Sequence, residues 1–313
     1  MNTRPLLLLV AVIGMTGSCL AEEHALVIGV NAVPHFRVGG LMAVRPLRGA
    51  EYDAKLFAQT LSDRWGFKPD QVEVLLGKEA NHGSVTGAME RIARTAKPED
   101  TVVFYFAGHG TQAPDRAPFD EPSDERLDEA LCLSDVTSAG ENLLLDDDLA
   151  SWLRELKVQS VSIVLDCCHS GTGIKGSADQ PVERGLTLPA VAANGPLPST
   201  AGAYAELTLL RKANGPRVIA LYACESGQSA YERRFATPQG RKAMGQFTRY
   251  LLEAMTDPSL ADQDTDGRLS VDEAAAYVGA KIDNDFNAGR LPAKQQRPHA
   301  EASRGEWDLV SAR

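Results

Sequence analysis

The sequence predicts an α/β fold with a mostly parallel central sheet and helices on both faces. Three observations predict it. Strand-like runs alternate with helical ones along the chain, the pattern of repeated βα units. Two of the apolar β-branched runs end in short polar motifs, as strands do where an open sheet assembles its ligand sites. No internal repeat is detectable that would suggest a solenoid or propeller. In order, His24–Val30 is apolar and extended. Around Leu47–Asp63 the periodicity is helical, with Ala50, Ala54, Phe57, Ala58 and Leu61 on one stripe. Val72–Leu76 is a strand, Ser84–Thr95 a helix and Thr101–Phe106 a strand. Asp146–Leu156 is helical, Val161–Leu165 and Val218–Tyr222 are strands, and Phe247–Met255 is helical. Two stretches interrupt the alternation. Gln112–Glu129 is dense in Pro and Asp/Glu and reads as a polar surface loop. Thr172–Gly215 is rich in Gly, Ala, Pro and Ser, with a short helical pattern near Tyr204–Lys212. It is longer than a compact domain tolerates as a plain connection, so it is functional or mobile.

The chain has 313 residues, is 43% hydrophobic and carries a net charge of −10. That supports a sizeable core and argues against nucleic acid or an anionic membrane surface as partner. Arg4, the run Leu6–Ile13 and Thr16-Gly17-Ser18-Cys19-Leu20-Ala21 read as a signal peptide over residues 1–21. Its apolar core is too short to span a bilayer, so export to the periplasm or the exterior is expected without a transmembrane segment. Thr16-Gly17-Ser18-Cys19 also resembles a lipoprotein box that would anchor the protein through Cys19. Cys132, Cys167, Cys168 and Cys224 lack zinc-ligand spacing and are too few for a disulfide scaffold. Cys132 and Cys224 are read as small buried side chains in preference to a pair.

The chemistry concentrates in Phe106-Ala107-Gly108-His109-Gly110-Thr111 and Leu165-Asp166-Cys167-Cys168-His169-Ser170-Gly171. A thiol needs a base to become a nucleophile near neutral pH, and imidazole is the usual one. Consecutive residues leaving a strand point to opposite sides, so only one of Cys167 and Cys168 can face the crevice. His169, next to Cys168, points away from it, which leaves His109 as the base. The glycines on either side of His109 allow close backbone approach and unusual dihedrals. The arrangement reads as a cysteine hydrolase.

These motifs, together with Tyr222–Ala230 and Gly245-Gln246-Phe247-Thr248, resemble the caspase-type peptidases, and within them the metacaspases and orthocaspases. The resemblance runs from about His24 to the C-terminus. It implies the caspase-haemoglobinase fold, with a large-subunit part over 22–171, a linker over 172–216 and a small-subunit part over 217–313. It selects Cys168 as nucleophile, because the reactive cysteine of the family directly precedes His-Ser-Gly, and leaves Cys167 packed. It also implies an oxyanion hole from the amides of Gly110 and Cys168.

Asp53 lies on the apolar stripe of its helix, where a carboxylate must find a partner or a cleft. Asp166 ends an apolar strand two residues before Cys168 and so shares its face. Two carboxylates beside the thiol suit a guanidinium or ammonium group, and the resemblance agrees, because metacaspases select Arg or Lys before the scissile bond. Ala50 and Ala107 stand where the family often has Cys and Ser, which removes polar atoms from the pocket wall. Basic residues of the linker, above all Lys175 and Arg184, are then expected to be sites of self-cleavage.

Asp262-Gln263-Asp264-Thr265-Asp266-Gly267-Arg268-Leu269-Ser270-Val271-Asp272-Glu273 matches the calcium-loop template. Asp262, Asp264, Asp266, the Arg268 backbone, Ser270 and Glu273 are its ligands. The same loop also reads as a helix start capped by Ser270. By the resemblance, Asp128, Asp146 and Asp147 mark a second, activating calcium site. A carboxylate cluster at a helix start would account for Asp146 and Asp147 equally well, and Lys175 stands where a further acidic ligand is expected. The reading as a whole is a monomeric, calcium-binding endopeptidase without organic cofactor that cuts peptides and proteins after Arg or Lys. The rival is a non-catalytic or calcium-regulated interaction module on the same fold. Retention of both His109 and Cys168 weighs against it.

Overall fold

A computed structural model describes residues 21–34, 37–38, 41–42, 45–114, 127–168, 181–188, 216–225, 227–291 and 296–302. In chain order its elements are β1 (Glu23–Gly29), β2 (Arg37–Val38), β3 (Leu41–Met42), α1 (Ala50–Arg64), β4 (Val72–Leu76), α2 (His82–Thr95), β5 (Thr101–Ala107), β6 (Gly110–Pro114) and β7 (Leu127–Cys132). They continue with β8 (Leu143–Leu145), α3 (Asp146–Glu155), β9 (Ser160–Asp166), β10 (Val182–Glu183), β11 (Arg217–Tyr222), β12 (Tyr231–Thr237), β13 (Gly240–Gly245), α4 (Gln246–Thr256), α5 (Val271–Asn287) and β14 (His299–Ala302). The central sheet has the order β14-β11-β9-β5-β1-β4. Every pairing in it is parallel except that of β14 with β11.

The inner strands are mostly apolar because both faces of the sheet are covered. Along β1, β5 and β9 the side chains alternate between two cores. Leu26, Ile28, Phe104, Phe106, Ile163 and Leu165 join Val85, Met89 and Ile92 of α2 and Leu149 and Trp152 of α3 on one side. Ala25, Val27, Val103, Tyr105 and Val164 join Phe57 and Leu61 of α1, Phe247 and Leu251 of α4 and Val278 and Ile282 of α5 on the other. Among the described residues no helix is long and apolar enough to cross a membrane.

Two expectations change. The ends of the Gln112–Glu129 stretch belong to a sheet, since β6 pairs antiparallel with β7, and β7 with β8. Its polar composition hid strands that lie outside the main sheet. Part of the linker is ordered against the body: β10 pairs with β12, and Glu183, Arg184, Leu186 and Leu188 are buried. Lys175 and the helical pattern at Tyr204–Lys212 lie outside the described residues.

Candidate active site

The register of β5 with β9 sets Ala107 opposite Asp166. His109 and Cys168 each lie two residues beyond that pair, so the carboxyl ends of two adjacent parallel strands deliver both side chains to one crevice. Strand alternation separates the two thiols as expected. Cys167 packs with the α2/α3 core and Cys168 with the α1/α4/α5 core. Cys132 and Cys224 also fall on opposite sides of the sheet, and both are free thiols.

His109 is buried, and its Nε2 lies 3.0 Å from the carbonyl oxygen of Arg45. A carbonyl only accepts, so Nε2 carries the proton, and Nδ1 is left basic. Nδ1 has no hydrogen-bond partner among the described residues. Burial pushes the imidazole down to about 4, against the opposing effect of the Arg45 carbonyl. The ring is therefore neutral at physiological pH. The glycines beside it work by space and not by unusual dihedrals, since neither Gly108 nor Gly110 has a positive φ. A Cβ on Gly108 would sit 2.6 Å from the Phe106 ring.

The linker occupies this crevice. Arg184 is fully buried, and its carbonyl oxygen accepts from the amide of Gly110 at 3.0 Å and from the amide of Cys168 at 3.2 Å. These are the two amides that the family resemblance implies for an oxyanion hole. Arg184 N–H donates to Ala230 O at 2.8 Å, and Leu186 N–H donates to Gly110 O at 2.9 Å. The segment is thus held in extended form on both sides of Arg184. The backbone of Gly185, next in the chain, lies against the His109 ring.

The Arg184 side chain enters a pocket of three carboxylates. It pairs with Asp53, with Asp166 Oδ2 at 2.9 Å and with Glu232 Oε2 at 3.6 Å. Burial works against its charge, but Asp166, Asp53 and Glu232 outweigh it and hold its pKa above the ordinary value. Asp53 also accepts from the amide of Gly245 at 2.8 Å. Burial raises its pKa well above the usual carboxylate range even with Arg184 beside it. Asp166 accepts from the hydroxyl of Thr248 at 2.6 Å, and Tyr105 donates to that same hydroxyl at 2.7 Å. Gly245 forms the wall: a Cβ there would stand 2.1 Å from Asp166 Oδ2 and 2.6 Å from Arg184 Nη1.

Asp53, Asp166, His109, Cys168 and Gly110 therefore meet as the sequence implies, and Arg184 joins them from the linker. Glu232 is the pocket residue that sequence reasoning missed. It is buried on β12 and fixed by the amides of Arg48 at 2.8 Å and Gly49 at 3.0 Å. It sets a third carboxylate beside the guanidinium. Nothing local in the polar run Glu232-Arg233-Arg234 distinguishes it.

The Asp262–Glu273 loop shares no residue with this crevice. Ligand oxygens of Asp262, Asp264 and Glu273 gather within 4.8 Å of one another. Gly267, at φ +82°, makes the tight turn between them. Asp266 Oδ1 accepts from the amide of Arg268, and Ser270 caps α5 through a reciprocal pair with Glu273. The oxygen donor set and loop shape fit a calcium ion, and the helix-cap reading is realised in the same residues. Asp128, Asp146 and Asp147 form no such cluster among the described residues.

Comparison with known proteins places this architecture. Over 164 residues the chain is 30% identical to metacaspase-1 of Cryptococcus neoformans var. neoformans serotype D, a match covering 50% of this chain and 33% of that protein. Over 156 residues it is 32% identical to metacaspase III c of Phaeodactylum tricornutum, covering 48% of this chain and 43% of that protein. The matches thus span less than half the length of these relatives. A crystal structure of a protein from Geobacter sulfurreducens shares the fold, with a TM-score of 0.57 at 24% identity over 90% of this chain and 93% of that one. The family model for the caspase domain matches residues 22–305, and with the paired histidine and cysteine at adjacent strand ends it establishes that this chain belongs to the caspase-domain peptidase family.

Proposed function

We propose that the protein is an exported cysteine endopeptidase that cuts after Arg, and more weakly after Lys, and that its first substrate is its own Arg184–Gly185 bond. One observation carries this reading. The carbonyl of a basic linker residue sits between the amides of Gly110 and Cys168 while its guanidinium fills an acidic pocket. Donors aimed at a carbonyl in this way stabilise the charge that develops when it is attacked. Cys168 passes its proton to His109 and its sulfur adds to the carbonyl carbon of Arg184. The oxyanion is held by the two amides. His109 then protonates the nitrogen of Gly185, the peptide bond breaks, and water hydrolyses the thioester at Arg184.

Three carboxylates fit a forked guanidinium better than a compact ammonium, which favours Arg over Lys. Calcium is read as a structural ion of the Asp262–Glu273 loop, held by Asp262, Asp264 and Glu273 with further oxygens of the loop. The leader pattern supports an exported enzyme, and in an oxidising compartment the Cys168 thiolate needs reductant to stay active.

The test compares peptide reporters ending in Arg, Lys or Asp, with and without calcium, alongside the mass of the purified chain. Arg reporters should be cut fastest, Asp reporters not at all, and the wild type should show a new N-terminus at Gly185. Cys168→Ala should stay intact and inactive, while Cys167→Ala keeps most activity. An active wild type with no internal N-terminus at Gly185, or a dead Cys167→Ala beside an active Cys168→Ala, overturns the assignment.

A further inference from the structure

The docked linker shows more than the arginine. Glu183, the residue before it, pairs through its backbone with Tyr231 of β12 and is itself buried. Its side chain turns away from the acidic pocket, as alternation along an extended segment requires. Its Oε1 accepts a short hydrogen bond from the hydroxyl of Ser229, which is fully buried. The Tyr231 phenol lies near the same pair, and burial pushes it up to about 12, so it stays neutral there. A carboxylate taken out of water is unfavourable unless donors meet it, and a hydrogen bond to an ionised acceptor is roughly twice as strong as a neutral one. An apolar side chain in this seat would remove the acceptor that the buried Ser229 hydroxyl donates to.

Resting on the reading of Arg184 as the residue before the cut, we propose that the enzyme recognises two consecutive residues, an acid followed by arginine, and that Ser229 is the residue that selects the acid. The substrate class is then peptides and proteins carrying Glu-Arg before the scissile bond.

The test uses reporters of the form acyl-Val-Xaa-Arg-aminomethylcoumarin with Glu, Gln, Leu or Lys at Xaa. Wild-type enzyme should prefer Glu over Leu and Lys by on the order of tenfold in kcat/KM, the worth of one charge-assisted bond. Ser229→Ala should bring the Glu-to-Leu ratio within about twofold. In the intact chain, Glu183→Leu should slow the appearance of the Gly185 N-terminus. Leu equal to or better than Glu in the wild type overturns the proposal, as does an unchanged ratio in Ser229→Ala. Should Ser229→Ala fail to fold, the wild-type series decides alone. Failure to cut any Arg reporter would instead strike the underlying reading of the site, and the proposal with it.

Discussion

Replacing Arg184 with Gln, in a Cys168→Ala background that keeps the chain whole, removes the cation that the described residues pair with a buried set of three carboxylates. Deleting one member of a buried ion pair leaves an uncompensated charge and costs about 3–5 kcal/mol. Undocking of the linker, which would let water reach the pocket, sets the lower end. For a domain of roughly 290 residues, that corresponds to a drop in Tm of about 5–8 °C. The loss should depend on pH, with a definite sign. Burial already holds the Asp53 carboxyl well above its ordinary value, and Arg184 is what lowers it. In the variant the folded state therefore binds a proton that the unfolded state releases, over the window from the ordinary carboxylate range upward. Stability falls as pH rises through that window. Thermal unfolding at pH 5.5 and pH 8 should show the larger deficit at pH 8. In the Cys168 background the same substitution should leave the chain uncut at position 184. A Tm within about 1 °C of the parent at both pH values would refute the buried-triad argument.

The intact precursor should process itself well below the usual histidine range. His109 is neutral until pH approaches about 4, so the acid limb of self-cleavage, followed by gel densitometry against pH, should fall there. A limb centred near the unperturbed value of about 6.5 would show that the base is solvated or is another residue. Calcium at about a hundred times its Kd should stabilise the Cys168→Ala chain by about 2.7 kcal/mol, or roughly 4–5 °C. Glu273→Gln should abolish that shift. The reasoning fails if the shift persists in Glu273→Gln, or if the parent shows none.

The inner strands were legible because burial on both faces leaves mostly apolar runs, as in Thr101–Ala107 and Ser160–Asp166. The separation of Cys167 from Cys168 was legible for the same reason, since strand alternation is a local rule. Glu232 was not, because its place is fixed by amides at Arg48 and Gly49, far away in sequence. Arg184 was misjudged in its setting. Its Gly- and Pro-rich surroundings describe a surface segment, and only the distant carboxylates of Asp53 and Asp166 explain why it is buried. The strands β6 and β7 were masked by a proline, Pro114, and two carboxylates, Asp128 and Glu129, although Ala113, Ala130 and Leu131 of the same strands pack into the α2/α3 core.

The covalent attachment of the docked arginine carries a kinetic consequence. A tethered group meets its site at an effective concentration in the millimolar range. A free peptide of similar affinity, present at micromolar levels, would find the pocket occupied nearly all the time. On the proposed self-cleavage at Arg184, latency follows from the connectivity of the chain, with no separate inhibitor needed. Hydrolysis of one bond converts the plug from a tethered competitor into a new chain end that can diffuse away. On that reading the first turnover also opens the site to other molecules, so cleavage in cis is expected to precede cleavage in trans.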